Sequence, residues 1–92
     1  FFPDKLEIEK VIKNNLVSTD PLIIRNFPAK EKKKLIILNL IATHFEKDLK
    51  YKEKEVNEIL SAMYHDHVSI RRYLIEYGYM DRTRDCSTYW LK

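Results

Sequence analysis

Cysteine, glycine and long apolar runs are all scarce in this sequence of 92 residues. Cys86 is the single cysteine, so no internal disulfide can form, which fits a reducing cytoplasm and argues against a disulfide-stapled secreted scaffold. The longest apolar run, Leu35–Leu38, ends at Asn39, far short of the ~20 residues of a membrane span. Residues 1–16 carry charges where a signal peptide has its apolar core. We therefore expect a cytoplasmic protein with no membrane partner.

The residues that are present are typical of a small folded domain. Hydrophobic residues make up 45% of the chain and charged residues 34%, which is too apolar for a disordered segment. This length suggests one domain with a small core. The chain begins with Phe rather than Met, as a fragment would, and this leaves room for an upstream domain.

The net charge of +3 is unevenly distributed. Residues 1–45 carry eight Lys and Arg against five Asp and Glu, whereas residues 46–92 carry nine of each. Proteins that bind nucleic acid usually present a basic patch. The neutral second half therefore counts against DNA binding, unless its positive charges cluster locally.

The first half of the chain contains two segments with helical periodicity. Asp4–Asn15 has an imperfect apolar stripe and predicts a first helix. Ser18–Pro21 is rich in turn-forming residues and predicts a linker. Pro28 suits the first turn of a second helix. That helix is predicted over Lys30–Phe45, and its apolar residues cover more than one stripe, as in a central buried helix.

Two more helices are predicted in the second half, after a short extended segment at Leu49–Tyr51. The third helix, Lys52–Tyr64, has a clean apolar face. That face consists of Val56, Ile59, Leu60 and Met63. Asp66 is a suitable N-cap for a fourth helix, Val68–Tyr77, and Gly78 is a suitable residue to end it.

After Gly78 the pattern changes to residues typical of strands, at 79–82 and 88–91, around a turn centred on Arg84–Cys86. Cys86 stands where Gly would adopt the turn more easily. Two helices joined by a short turn and followed at once by a hairpin are the layout of a winged helix-turn-helix. We therefore predict a mainly α, α+β fold. Residues 25–92 form the winged helix-turn-helix domain with a C-terminal wing, and residues 1–24 form an extra N-terminal helix and linker.

Five different short motifs lie along the stretch from Phe27 to Trp90. They are Phe27-Pro28 before a Lys-rich helix start, Tyr51-x-Glu53-x-Glu55-Val56-Asn57-x-Ile59-Leu60, Asp66 with Arg71-Arg72-x-Leu74, Tyr77-Gly78-Tyr79-Met80-x-Arg82, and Ser87-x-Tyr89-Trp90. In these motifs the chain resembles a bacterial family of domains of unknown function with a winged-helix-like pattern. Its members occur alone or behind a helix-turn-helix domain in predicted transcriptional regulators. Such domains often have Gly at the position of Cys86. The resemblance implies a fold and a link to regulation, and it implies no particular activity.

The candidate DNA-binding residues lie on the fourth helix and the hairpin. They are Ser69, Arg71, Arg72, Arg82 and Arg84. On a helical wheel Arg72 points away from the core, where an arginine can bond guanine edges or phosphate in the major groove. The arginines of the hairpin suit a phosphate backbone or a minor groove.

These arginines also have an ordinary structural interpretation. Arg72 has Glu76 four residues later as an intrahelical ion-pair partner. The arginines of the hairpin have Asp81 and Asp85 beside them. The sequence supports the two interpretations about equally. For Arg71 and Arg72, the position on a recognition helix favours the functional one.

Other polar clusters are interpreted structurally. The run Lys30, Lys32, Lys33 and Lys34 favours a solvated helix start over a secondary phosphate contact, because basic residues oppose the helix dipole there. His65-Asp66-His67 is better explained as a capping Asp between two turn histidines than as a metal site. Glu53, Glu55 and Glu58 suit a stabilised helix start or a partner surface. The aromatic residues, including Trp90, are interpreted as core and wing anchors.

The sequence thus favours a non-enzymatic domain that binds double-stranded DNA to control transcription, with no cofactor and no metal. One such domain covers few base pairs, so a homodimer is expected. The apolar stripe of the first helix, with Leu6, Val11 and Ile12, is the expected dimer contact. The alternative is a winged helix that responds to an effector or contacts a protein and does not bind DNA. The neutral second half and the acidic face of the third helix favour it.

Overall fold

The computed structural model describes residues 3–92 of the chain, and this part contains four helices and two small antiparallel sheets. Its elements are α1 (Lys5–Asn15), β1 (Leu16–Thr19), β2 (Leu22–Ile24), α2 (Glu31–Ala42), β3 (Tyr51–Lys52), α3 (Glu53–Ser61), α4 (His67–Glu76), β4 (Met80–Arg82) and β5 (Thr88–Leu91). The predicted mixture of helices and small antiparallel sheets is confirmed. The predicted element 1–24 is described from Pro3 onward, and its first two residues lie outside the described part of the chain.

The N-terminal segment folds as a helix followed directly by a hairpin. The side chain of Asp4 caps α1 by accepting a hydrogen bond from the backbone N–H of Glu7 at 2.8 Å. Strand β1 then pairs with β2 around a turn at Asp20-Pro21. The prediction of a linker over Ser18–Pro21 is therefore wrong. The turn-forming residues were recognised, but the apolar residues on either side of them pair as strands.

This N-terminal segment shares one hydrophobic core with the rest of the chain. Val11, Leu16, Leu22 and Ile24 are buried in the same cluster as the side chains of α2 and α4. Since Val11 is buried by its own chain and Ile12 packs against the same core, the apolar stripe of α1 does not need a second protomer. Of the three residues expected at a dimer contact, Leu6 is the exposed one.

Helix α2 crosses the centre of the domain, as predicted. Ile36, Ile37, Leu38 and Ile41 are buried on it. The helix is shorter than the predicted Lys30–Phe45, since it begins at Glu31 and ends at Ala42. Phe45 is nevertheless buried beyond the helix, where its ring meets that of Tyr51 edge-on at 5.1 Å.

Local signals set the ends of α3 and α4. The side chain of Glu55 accepts a hydrogen bond from the backbone N–H of Lys52 at 2.9 Å, which stabilises the start of α3. Asp66 is the N-cap of α4, as predicted. Gly78 ends α4 with φ of +79°, and the N–H of Tyr79 bonds the carbonyl of Leu74 at 2.9 Å. This is the left-handed helix end that Gly favours.

The C-terminal sheet has the strand order β3-β5-β4, with antiparallel pairing throughout. Tyr89 on the central strand pairs with both Tyr51 and Arg82, and it is buried. Successive residues of a strand face opposite sides. Trp90 is accordingly only half-buried, with the ammonium of Lys50 5.5 Å from its ring centroid. Of these two aromatic residues, both interpreted as core and wing anchors, Tyr89 lies in the core, and Trp90 lies on the hairpin strand outside the buried cluster. Within residues 3–92 no helix has the length and apolarity needed to cross a membrane.

Candidate nucleic-acid interface

An open groove of about 420 Å³ separates α4 from the C-terminal hairpin. Its lining residues are Val68, Arg71, Arg72, Ile75, Glu76, Arg82, Cys86 and Tyr89. Three of the five candidate residues, Arg71, Arg72 and Arg82, thus meet at one surface. Ser69 and Arg84 lie outside this groove, on α4 and at the hairpin turn. We call this surface the arginine groove.

Arg72 is exposed on the rim of the arginine groove. The central carbon of its guanidinium lies 5.8 Å from the ring centroid of Tyr73, a distance at which a cation is attracted to an aromatic ring. Glu76 lines the same groove, but within residues 3–92 it forms no ion pair with Arg72. The guanidinium of Arg72 is therefore accessible to an anion.

Arg71 is held by α3 instead. Its guanidinium lies 3.2 Å from a carboxylate oxygen of Glu53 and donates a hydrogen bond to the side-chain oxygen of Asn57. It also lies 6.0 Å from the ring centroid of Tyr89, and the side chain is only 20% exposed. These contacts join α4 to α3 and to the sheet. Arg71 consequently has a structural role that the sequence analysis did not foresee, because its partners lie on another helix.

The hairpin turn positions Arg82 and Arg84 differently. The guanidinium of Arg82 donates to the backbone carbonyls of Thr83 at 3.1 Å and Arg84 at 3.3 Å. The side chain of Arg84 is exposed. In the described part of the chain neither guanidinium forms an ion pair with Asp81 or Asp85, which was the alternative interpretation, although the backbone N–H of Arg82 donates to Asp81 Oδ1 at 2.8 Å. Arg82 is thus bent over the turn, and Arg84 is at the turn itself.

A network around Asp85 fixes this turn. Its carboxylate accepts hydrogen bonds from the hydroxyl of Thr83 at 2.7 Å, the hydroxyl of Ser87 at 2.8 Å and the backbone N–H of Ser87 at 3.1 Å. These donors, Thr83 foremost, lower the pKa of Asp85 from its ordinary 3.8 to about 2. Cys86 follows with φ of +64°, in the left-handed region that favours Gly. The expectation that Gly would be easier at this position is confirmed.

Ser69 takes part in the N-cap of α4. Its hydroxyl donates to Asp66 Oδ2 at 2.8 Å, and its backbone N–H donates to Oδ1 at 3.3 Å. The hydroxyl bond, then the N–H bond, lower the pKa of Asp66. The capping interpretation of Asp66 is confirmed. Among residues 3–92 no three His, Cys, Asp or Glu side chains are grouped in a way that would hold a metal ion.

Tyr73, which the sequence analysis interpreted as a core aromatic, is the centre of a second cluster beside α4. Its ring stacks on that of Phe27 at 5.3 Å, with 6° between the planes. The ammonium of Lys34 lies 4.7 Å from the same ring centroid. These residues line a pocket of about 300 Å³ together with Asp66 and Ser69. The sequence offered the motif Phe27-Pro28 as a signal, but no spacing that connected it to α4.

These features define a small α+β domain with an arginine-lined groove between a helix and a hairpin. The chain belongs to the bacterial family described as "uncharacterized protein conserved in bacteria" (DUF2087), whose sequence model matches residues 23–91. The resemblance to a bacterial family of domains of unknown function is thereby confirmed. No curated protein and no solved structure matches the chain.

Proposed function

We propose that this chain is a winged-helix domain that binds double-stranded DNA, without catalysis, in a bacterial transcriptional regulator. In this proposal α4 enters the major groove and the β4–β5 hairpin acts as the wing. The order of helices α2, α3 and α4, followed at once by the hairpin, supports this assignment. So does the way β3 pairs with β5 and thereby ties the hairpin to the start of α3.

The observation that carries the proposal is the arginine groove. Arg72 on the helix and Arg82 on the hairpin line one surface that is open to solvent, although they come from separate elements. Arginine suits both guanine edges and phosphate oxygens, because its planar fork donates several hydrogen bonds. Arg84 at the turn extends this positive surface toward a neighbouring stretch of phosphate backbone.

For DNA binding, the local distribution of charge at the contact surface matters more than the net charge of residues 46–92. Residues 46–92 are neutral in total, and three of their nine acids have defined partners inside the domain. Glu53 is paired with Arg71, Asp66 caps α4, and Asp85 is satisfied within the hairpin turn. Glu76 is the acid that lines the arginine groove itself. We propose Ser69, Arg71, Arg72, Arg82 and Arg84 as the DNA-facing set, in which Arg72, Arg82 and Arg84 are exposed.

A second candidate function is a protein-binding winged helix. The observation that favours it is the ion pair between Arg71 and Glu53, since it withdraws one cation from the DNA-facing set. The exposed acids Glu55 and Glu58 of α3 would then contact a basic partner.

Direct titration with duplex DNA tests the proposal. The chain is titrated with a mixed-sequence duplex about two helical turns long, at several salt concentrations. We expect binding that weakens with salt, with a log–log slope of about −0.9 for each phosphate contacted. Absence of binding to any duplex at low salt would overturn the DNA proposal and favour the protein-binding function.

A further inference from the structure

A second positive surface lies beside α4 and is formed around the ring of Tyr73. Lys34 comes from α2 and Arg72 from α4, yet both cations lie within 6 Å of the centroid of this one ring. The distance between them is at most the two distances combined, close to the ~10 Å over which charges interact in 0.1 M salt. Two like charges held this close repel each other and attract an anion.

The ring that gathers these cations is itself held in place. Tyr73 stacks on Phe27 at 5.3 Å, and Phe27 in turn lies 6.5 Å from the ring of Tyr64. The ring of Tyr77 lies 6.3 Å from that of Tyr73 on the next turn of α4. A lysine side chain ordinarily loses much rotamer freedom when it binds a ligand. The attraction of Lys34 to a fixed ring reduces this loss before any ligand arrives.

One acid lies on the same surface. Asp66 lines the pocket with Lys34 and Tyr73. The bonds from Ser69 lower its pKa most, and the charges of His65 and then Arg72 lower it further. Its two carboxylate oxygens already accept hydrogen bonds from Ser69. Asp66 keeps its negative charge, but among residues 3–92 neither Lys34 nor Arg72 forms an ion pair with it or with Glu76, so both cations remain available to a phosphate.

From this arrangement we propose that Lys34 is a phosphate-contact residue, which grips the sugar-phosphate backbone of the same duplex that α4 reads. This inference rests on the proposed function and deepens it. Arg72 links the two surfaces, because it borders the arginine groove and also lies at the Tyr73 ring. The duplex is thereby contacted from α2 as well as from α4 and the hairpin. Phosphate contacts of this kind fix the orientation of a protein on DNA without reading its sequence.

The lysine-rich start of α2 offers a matched control. Lys33 is the neighbouring residue and carries the same charge, but it lines a different groove, between α1 and α2, together with Val11 and Ile36. Substitution of Lys34 or Lys33 by Gln removes one positive charge from the same helix. Any difference between the two variants therefore reports position and not net charge.

The test compares wild type, Lys34→Gln and Lys33→Gln in salt titrations with a mixed-sequence duplex about two helical turns long. We expect Lys34→Gln to weaken binding and to lower the magnitude of the log–log salt slope by about 0.9, and Lys33→Gln to leave the slope unchanged. A third variant, Tyr73→Leu, removes the ring that Lys34 approaches. We expect it to weaken binding to the same duplex, and thermal melting checks that the variant is folded.

The outcomes separate this inference from the proposed function. Suppose that wild type binds DNA. If Lys34→Gln then has the wild-type salt slope, or if both lysine variants lower the slope by the same amount, the Lys34 contact is overturned and the DNA proposal stands. If wild type binds no duplex, both are overturned. A loss specific to Lys34→Gln supports both.

Discussion

Arg71 on α4 and Glu53 on α3 form an ion pair of 3.2 Å across the interface between the two helices. Their side chains are 20% and 42% exposed, so the pair lies at the edge of the core and not within it. Asn57, one turn beyond Glu53, accepts a hydrogen bond from the same guanidinium. The angle at which α4 is presented thus depends in part on a residue that the sequence suggested for DNA contact or for an exposed charged face, and not for a contact between helices.

The first prediction concerns the energy of this pair. In a double-mutant cycle of Arg71→Ala and Glu53→Ala, we expect a coupling free energy of about 0.5–1 kcal/mol in unfolding, because partly exposed pairs are screened by solvent. Denaturant unfolding of the four proteins measures it. Arg71→Ala with Glu58→Ala is the control cycle, since Glu58 lies on the exposed face of α3. Equal coupling in both cycles would contradict a specific pair.

The second prediction concerns base readout by Arg72. If this exposed side chain reads a base edge, Arg72→Ala should cost about 1–3 kcal/mol of binding and relax preference at one base position. A duplex selected from a random library, together with its single-base variants, provides the measurement. Stability should change by about 0.5 kcal/mol or less, because Arg72 is on the surface. An unaltered preference at every position would remove Arg72 from base readout.

The third prediction concerns Arg84 at the hairpin turn. Arg84→Ala should weaken binding to selected and scrambled duplexes alike and lower the magnitude of the salt slope by about 0.9, because a phosphate contact releases counterions whatever the bases are. Titration of both duplexes at several salt concentrations tests this. A loss confined to the selected duplex would show that Arg84 reads sequence instead.

The fourth prediction follows from the depressed pKa of Asp85, about 2 in the folded chain. A carboxylate whose pKa is lower in the folded state stabilises that state above the unfolded pKa, and the contribution is lost as pH falls toward the folded pKa. Wild type should therefore melt above Asp85→Asn near neutral pH, and the difference in Tm should shrink as the pH falls from about 4 to about 2. Thr83→Val removes the main donor and should reduce this pH dependence. A Tm difference that is constant with pH would contradict the network.

The fifth prediction separates the two aromatic residues of β5. Tyr89→Ala should destabilise the domain by about 3–5 kcal/mol, since its ring is buried at the centre of the sheet. Trp90→Ala should cost under about 2 kcal/mol, because Trp90 is half-buried on the other side. Chemical unfolding of both variants measures the difference. A larger loss for Trp90 would mean that the register of β5 differs from the one described.

Sequence reasoning succeeded where a signal is local. The apolar face of α3, the cap at Asp66 and the left-handed Gly78 depend on residues within one or two turns of each other, so their spacing in the sequence predicts them. Trp90 could not be placed in this way, because two adjacent aromatic residues make the phase of a strand ambiguous.

In the candidate site, too, the sequence predicted the features that depend on local spacing and missed the contacts between distant residues. Arg71 and Arg72 were correctly placed on α4, and helical periodicity indicated which of them points outward. The partners of Arg71 lie on α3, and Lys34 reaches the ring of Tyr73 from α2, with the whole of α3 between these two residues in the sequence. Contacts of this range arise from tertiary packing, which no spacing rule encodes.

The position of Asn15 at the end of α1 has a consequence for how the chain behaves as a unit. Its backbone carbonyl accepts hydrogen bonds from the N–H groups of Arg25 and Asn26, and its buried side chain donates to Asn26 as well. The family match begins at residue 23, but the hydrophobic core extends back across that boundary into α1. We therefore expect a substitution at Val11 or Leu16 to destabilise the matched segment as well. The family match and the hydrophobic core begin at different residues of this chain.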